Sequence, residues 1–166
     1  MTKHDYPRND ENGISLIYST IKESVESQHT QRNSLETKAN ALSAFAGGMF
    51  ALLMGTKDIL FQLSRIGKNL ILLSILLFFL SVILNTIVMW VRHYRYDPNP
   101  EMLAKHYLKA SEQEIKFQLI SNLVGSWKNN TIILERNAAF LRVSFIAQTI
   151  GFILLGIAVF TTVLGK

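Results

Sequence analysis

Cysteine is absent from the 166 residues, which removes disulfides, thiol nucleophiles and thiolate metal sites from consideration. Proline is scarce, with three residues in the whole chain, so most of it can run in unbroken helices. Charge is missing from three long stretches. None falls between Leu70 and Val91, between Val143 and Leu164, or between Ala39 and Gly55. A helix needs about 20 apolar residues to cross a hydrocarbon core of about 30 Å, and the first two runs meet that length. The third is shorter and built largely of Ala, Gly, Leu and Phe. A chain this small could hardly bury such helices on all faces in water, so a membrane protein is expected.

Other absences narrow the function. The three runs hold no ionisable side chain, whereas ion-coupled transporters need a charged group at membrane depth; active transport is therefore not expected. No glycine-rich phosphate loop, nucleophile elbow or catalytic dyad is visible, and His4, His29, His93 and His106 show no metal-ligand spacing. No enzyme, metal or cofactor is expected. The first apolar run begins only at Ala39, so no signal peptide is expected.

The charge that is present sets orientation. The net charge is +5. Three spans put residues 1–38 and 92–142 on one side, and that side holds thirteen of the 17 Lys and Arg residues. Excess Lys and Arg stay in the cytoplasm, so both segments are expected inside, and nucleic acid is not needed to explain the charge. Trp90, Arg92, Tyr94, Arg95 and Tyr96 suit an aromatic and basic belt at the inner interface.

The expected fold is an all-α membrane protein with three transmembrane helices and two long helices extending into the cytoplasm as a stalk. A disordered N-terminus (1–13) precedes a cytoplasmic helix (14–38), span 1 (39–55), an outer loop (56–69), span 2 (70–91), cytoplasmic helices (92–142) and span 3 (143–164). From Ile14 the seam runs Tyr18, Ile21, Val25, then Gln28 and Arg32, then Leu35, Ala39, Leu42 and Ala46. Its alternating steps of four and three are those of a coiled coil. Asp97-Pro98-Asn99-Pro100 breaks the chain and starts a short helix to about Ala110. Ser111-Glu112-Gln113-Glu114 has the form of a capping box. The helix it opens carries a second seam: Phe117, Ile120, Val124, Trp127, Thr131, Leu134, Ala138, Leu141, Phe145 and Gln148.

Three groups of side chains are candidates for function. Ser43, Gly47, Ala51 and Gly55 repeat every four residues and would let another helix approach closely, either a span of the same chain or a second copy. Asn85 and Gln148 are uncharged polar residues inside spans, suited to bonding between helices or to lining a pore. Arg32, Lys38, Lys128, Arg136 and Arg142 flank the spans and would contact anionic lipid or the phosphates of a nucleotide. Asn129-Asn130-Thr131 matches a glycosylation acceptor but falls on the side assigned to the cytoplasm.

Glu36-Thr37-Lys38-Ala39, running directly into a small-residue span, resembles the Asp/Glu-x-Lys-Ala entry of prokaryotic membrane effectors. These are the Pycsar transmembrane effectors and the SLATT proteins of antiphage defence. The later stretch is similar too, with Tyr107-Leu108-Lys109-Ala110-Ser111 followed by a long helix carrying Asn130, Ile133, Arg136, Leu141 and Arg142. Where the pattern has a Lys before the last span, this chain has Glu135-Arg136-Asn137. The resemblance covers most of residues 28–160 and carries over no ligand-contacting residue. It implies a toxic effector of the inner membrane that oligomerises and permeabilises it on a cytoplasmic signal, a cyclic nucleotide made by a partner cyclase. The sequence equally admits a membrane anchor that recruits a cytoplasmic protein, or a holin-like pore.

Overall fold

No proline or glycine stands between Ile14 and Gly47, and nothing local stops a helix there. In the computed structural model, which describes residues 10–56, 63–90, 101, 105 and 110–164, that stretch lies within α1, Asp10–Gly55. The helix begins four residues before the expected start at Ile14. At the other end Thr56 closes the last turn, its backbone N–H and its hydroxyl both donating to Leu52 O, at 3.1 and 3.0 Å.

The second helix, α2, is Arg65–Met89. Ser64 caps it, its hydroxyl accepting the Gly67 N–H at 3.2 Å. The loop expected over 56–69 is therefore shorter, with Arg65–Asn69 already helical. Arg and Lys are good helix formers, so the first charged turn belongs to the helix although it is too polar for the span. The third helix, α3, is Glu112–Leu164 and opens with the expected capping box. Ser111 N–H donates to Glu114 Oε2 at 3.0 Å, and Glu114 N–H donates to Ser111 Oγ at 3.3 Å. These contacts hold the Glu114 carboxyl below its ordinary value. Glu112 is lowered as well, by Lys116 one turn on.

The interfacial belt from Arg92 to Tyr96, the Asp97–Pro100 break, Ile59 and Leu60 of the loop, and His4, His93 and His106 lie outside the described residues. Of the expected short helix, Glu101, Lys105 and Ala110 are described. Lys105 Nζ donates to Glu101 Oε1 at 2.8 Å across one turn.

The described residues are helical with no strand among them, and two helices are long and apolar enough to cross a membrane: α2, and α3 within 112–161. The Ala- and Gly-rich stretch of α1 is less apolar than either. The chain divides into two units, a polar one (Met1–Arg32 with Arg92–Leu134) and an apolar one (Asn33–Val91 with Glu135–Lys166).

In the polar unit Val25 and Gln28 of α1 are buried, with Ile14, Tyr18 and Ile21 half-buried, on the expected seam. On α3 the buried positions are Leu119, Leu123, Ser126, Asn130 and Leu134. Leu134 and Gln148 of the expected α3 seam are buried, and the rest of it is corrected by one residue, about 100° around the helix. Phe117, Val124 and Trp127 are 70%, 46% and 43% exposed. Gln28 joins α1 to α3 beside Ser126 and Asn130, its Nε2 donating to Trp127 O at 3.1 Å and to Thr131 Oγ1 at 2.8 Å.

Candidate functional site

The apolar unit has its chemistry turned inside out. On α2 the buried residues are Gly67, Ile71, Ser74, Phe78, Ser81, Asn85 and Val88, in alternating steps of four and three. At every seventh position stand Gly67, Ser74, Ser81 and Val88, the first three of them small. On α3 the same spacing buries Asn137, Ser144, Gly151 and Ala158, and on α1 it buries Ala39, Ala46 and Leu53. Meanwhile Leu72, Leu76 and Phe79 of α2, with Phe145, Ile153 and Phe160 of α3, are each more than half exposed. A water-soluble bundle has the opposite distribution.

Small residues let the backbones come close. A Cβ placed on Gly151 would lie 3.3 Å from Ser74 O and 3.4 Å from Leu77 Cβ. The Ser74 hydroxyl donates to Gly151 O. Two turns along α2, Ser81 Oγ and Ser144 Oγ are 2.8 Å apart, and Ser144 Oγ donates to Asn85 Oδ1 at 2.7 Å. Gln148 Nε2 donates to Leu42 O at 3.0 Å and ties α1 to α3. Both polar candidates are therefore buried between helices: Asn85 is fully enclosed and Gln148 is 4% exposed. Their other amide atoms, Asn85 Nδ2 and Gln148 Oε1, are buried without a hydrogen-bond partner, as are Asn137 Oδ1 and the Ser43 hydroxyl. Apolar contacts complete the packing. Leu53, Leu63, Ile71 and Ala158 cluster together, and the Phe50 ring meets Phe78 edge-on at 6.3 Å.

The small-residue face of α1 is left uncovered. Gly47, Ala51 and Gly55 are exposed and Ser43 is half-buried. A Cβ on Gly47, Gly48 or Gly55 would meet nothing within 4 Å, so no other span among the described residues occupies this face.

The basic candidates are divided between the two units. Arg32 is half-buried in the polar unit, where Lys128 is exposed. In the apolar unit Lys38, Arg136 and Arg142 are exposed, with the Arg136 guanidinium 5.3 Å from the centre of the Phe140 ring. Among the described residues no group of His, Cys, Asp and Glu could hold a metal ion.

Sequence reasoning passed over Gly151, Ser126 and Asn137. The seven-residue spacing from Asn137 through Ser144 and Gly151 to Ala158 is the signal that finds two of them. No protein-family model, curated protein or solved structure matches the chain.

Proposed function

We propose that this chain is a three-span protein of the prokaryotic inner membrane, with a cytoplasmic N-terminus, that assembles from several copies and permeabilises the bilayer on a cytoplasmic signal. The observation that carries the membrane reading is the inverted packing of the apolar unit, polar and small inside, large and apolar outside. Lipid offers no hydrophobic drive between helices, so close packing of small residues and buried hydrogen bonds must hold them. The α1 stretch joins as a span because it packs on the two helices that are long enough, through Gln148 to Leu42 O and through Leu53.

Permeabilisation rests on the resemblance to defence effectors. Within one protomer Ser74, Ser81, Asn85, Ser144 and Gln148 all bond to neighbouring helices, so conduction calls for more than one copy. The uncovered glycine face of α1 supports such assembly. The signal is read as a nucleotide second messenger.

Two measurements test this. With no native cysteine, Gln62→Cys and Gln113→Cys can each be probed with an impermeant thiol reagent on intact cells. Position 62 should label and position 113 should not; labelling of 113 from outside refutes the orientation. A potential-sensitive dye should then report depolarisation by the expressed protein, alone or with its neighbouring genes during phage challenge. A potential that never changes leaves the anchor reading.

A further inference from the structure

Among the described residues of the polar unit, one ordered apolar stripe is left uncovered. Phe117, Val124 and Trp127 are exposed, while Ile120 and Thr131 at the edge of the stripe are half-buried. Their steps are three, four, three and four, the spacing that keeps one face of a helix against another helix. This stripe lies about 100° around α3 from the buried positions Leu119, Leu123, Ser126 and Asn130. So α3 carries two adjacent seams. The inner one is used within the chain, and the outer one is open.

We infer that the outer seam of α3 is the contact between two copies of this chain, α3 against α3, parallel and in register. Three observations select this occupant. The heptad spacing matches a helix, not a flat surface or a small ligand. Contact between identical copies in register brings each residue near its own kind, so a charged face would repel itself. From Phe117 to Leu134 the sole charged residue is Lys128, and it lies off the stripe. Finally, copies inserted in one membrane with one topology can be related only by an axis along the membrane normal, which makes their α3 helices parallel. Phe117, Val124 and Thr131 then fall at a positions, with Ile120 and Trp127 at d.

This inference rests on the membrane reading and deepens its assembly step. It is tested with single cysteines in the full chain, expressed in membranes and oxidised without detergent. Residues facing each other at an a position lie within disulfide reach. Val124→Cys and Phe117→Cys should each give a band at twice the 18.8 kDa monomer. Asn129→Cys, exposed but on the far side of α3, should give none. Val124→Lys should abolish the band from Phe117→Cys, because two cations would then meet in the seam. A yield at 124 no higher than at 129 overturns the inference, whatever the dye reports. Crosslinking at 124 with an unchanged membrane potential retains the α3 contact and overturns permeabilisation. A chain that carbonate extracts from the membrane overturns both, since the parallel arrangement loses its basis.

Discussion

Replacing Gly151 should separate α2 from α3 more sharply than a change at any other described glycine. A Cβ at 151 would already press on Ser74 O at 3.3 Å, Leu77 Cβ at 3.4 Å and Phe78 Cε1 at 3.6 Å. The first of these is backbone and cannot rotate aside. Ala needs a shift of only a few tenths of an ångström. Leu must place three further carbons in the same gap and force the helices apart. Overpacking of this kind costs about 1–3 kcal/mol. The separation also breaks the bond from the Ser74 hydroxyl to Gly151 O, a net loss of about 1 kcal/mol. At about 2–4 °C per kcal/mol, Gly151→Leu should lower the melting temperature by about 4–16 °C. Gly156 is the control, since it is exposed and a Cβ there meets nothing within 4 Å. Gly156→Leu should be neutral or slightly stabilising, because Leu is the better helix former. The assay is the fraction that stays monodisperse in mild detergent after heating. Equal melting of the two variants would refute the close approach of α2 and α3 at Gly151.

Gly47→Leu with Ala51→Leu should yield a smaller particle by size and cross-linking while inserting normally, because bulk on the open α1 face blocks close helix contact; an unchanged particle removes that face from assembly. Ser111→Ala should destabilise the start of α3 by about 0.5–2 kcal/mol, seen as faster amide exchange in its first turn. Glu114 has a lowered folded-state pKa, so its contribution is complete above the ordinary carboxylate value of 4.5 and is lost as pH falls through the lowered value. The melting difference between wild type and Glu114→Gln should therefore shrink in acid, and a gap that widens would reverse the sign. Gln28→Leu with Arg32→Leu should insert at the wild-type level yet alter depolarisation, becoming constitutive or inert; an identical dye response excludes this polar seam pair from signalling.

The course of α1 was legible because its inward face is apolar wherever it is not Gln28 or Arg32. The steps from Ile14 to Ala46 follow the pattern that water imposes on a helix. The start of α2 was missed by hydropathy, which marks where lipid begins and not where hydrogen bonding begins; Ser64 was the available sign. The α3 seam was misread for a different reason. Phe117, Val124, Trp127 and Phe145 make the more apolar stripe, and apolar residues were assigned to the inside. Asn85 and Gln148 stood out as polar residues in charge-free runs, but no rule of spacing says which backbone or hydroxyl they meet. Leu42 O and Ser144 became their partners only once the helices were packed.

The inner positions of α3 keep one spacing while changing chemistry, and that change argues for two solvents along a single helix. From Leu119 to Ala158 the buried residues follow steps of three and four, with Leu141 and Leu155 half-buried in the sequence of steps. In the polar unit Lys128 and Asn129 are exposed, and Leu119, Leu123 and Leu134 lie inside. That is the order water requires. In the apolar unit the inner positions become Asn137, Ser144, Gln148, Gly151 and Ala158, and the outer ones become Phe145, Ile146, Ile150, Phe152 and Ile153. In water such a surface would aggregate. In lipid it costs nothing, and the polar groups find partners only inside. Stripe and solvent therefore have to be read together. An exposed phenylalanine at 145 is ordinary beside acyl chains, whereas an exposed phenylalanine at 117, in the polar unit, demands a partner.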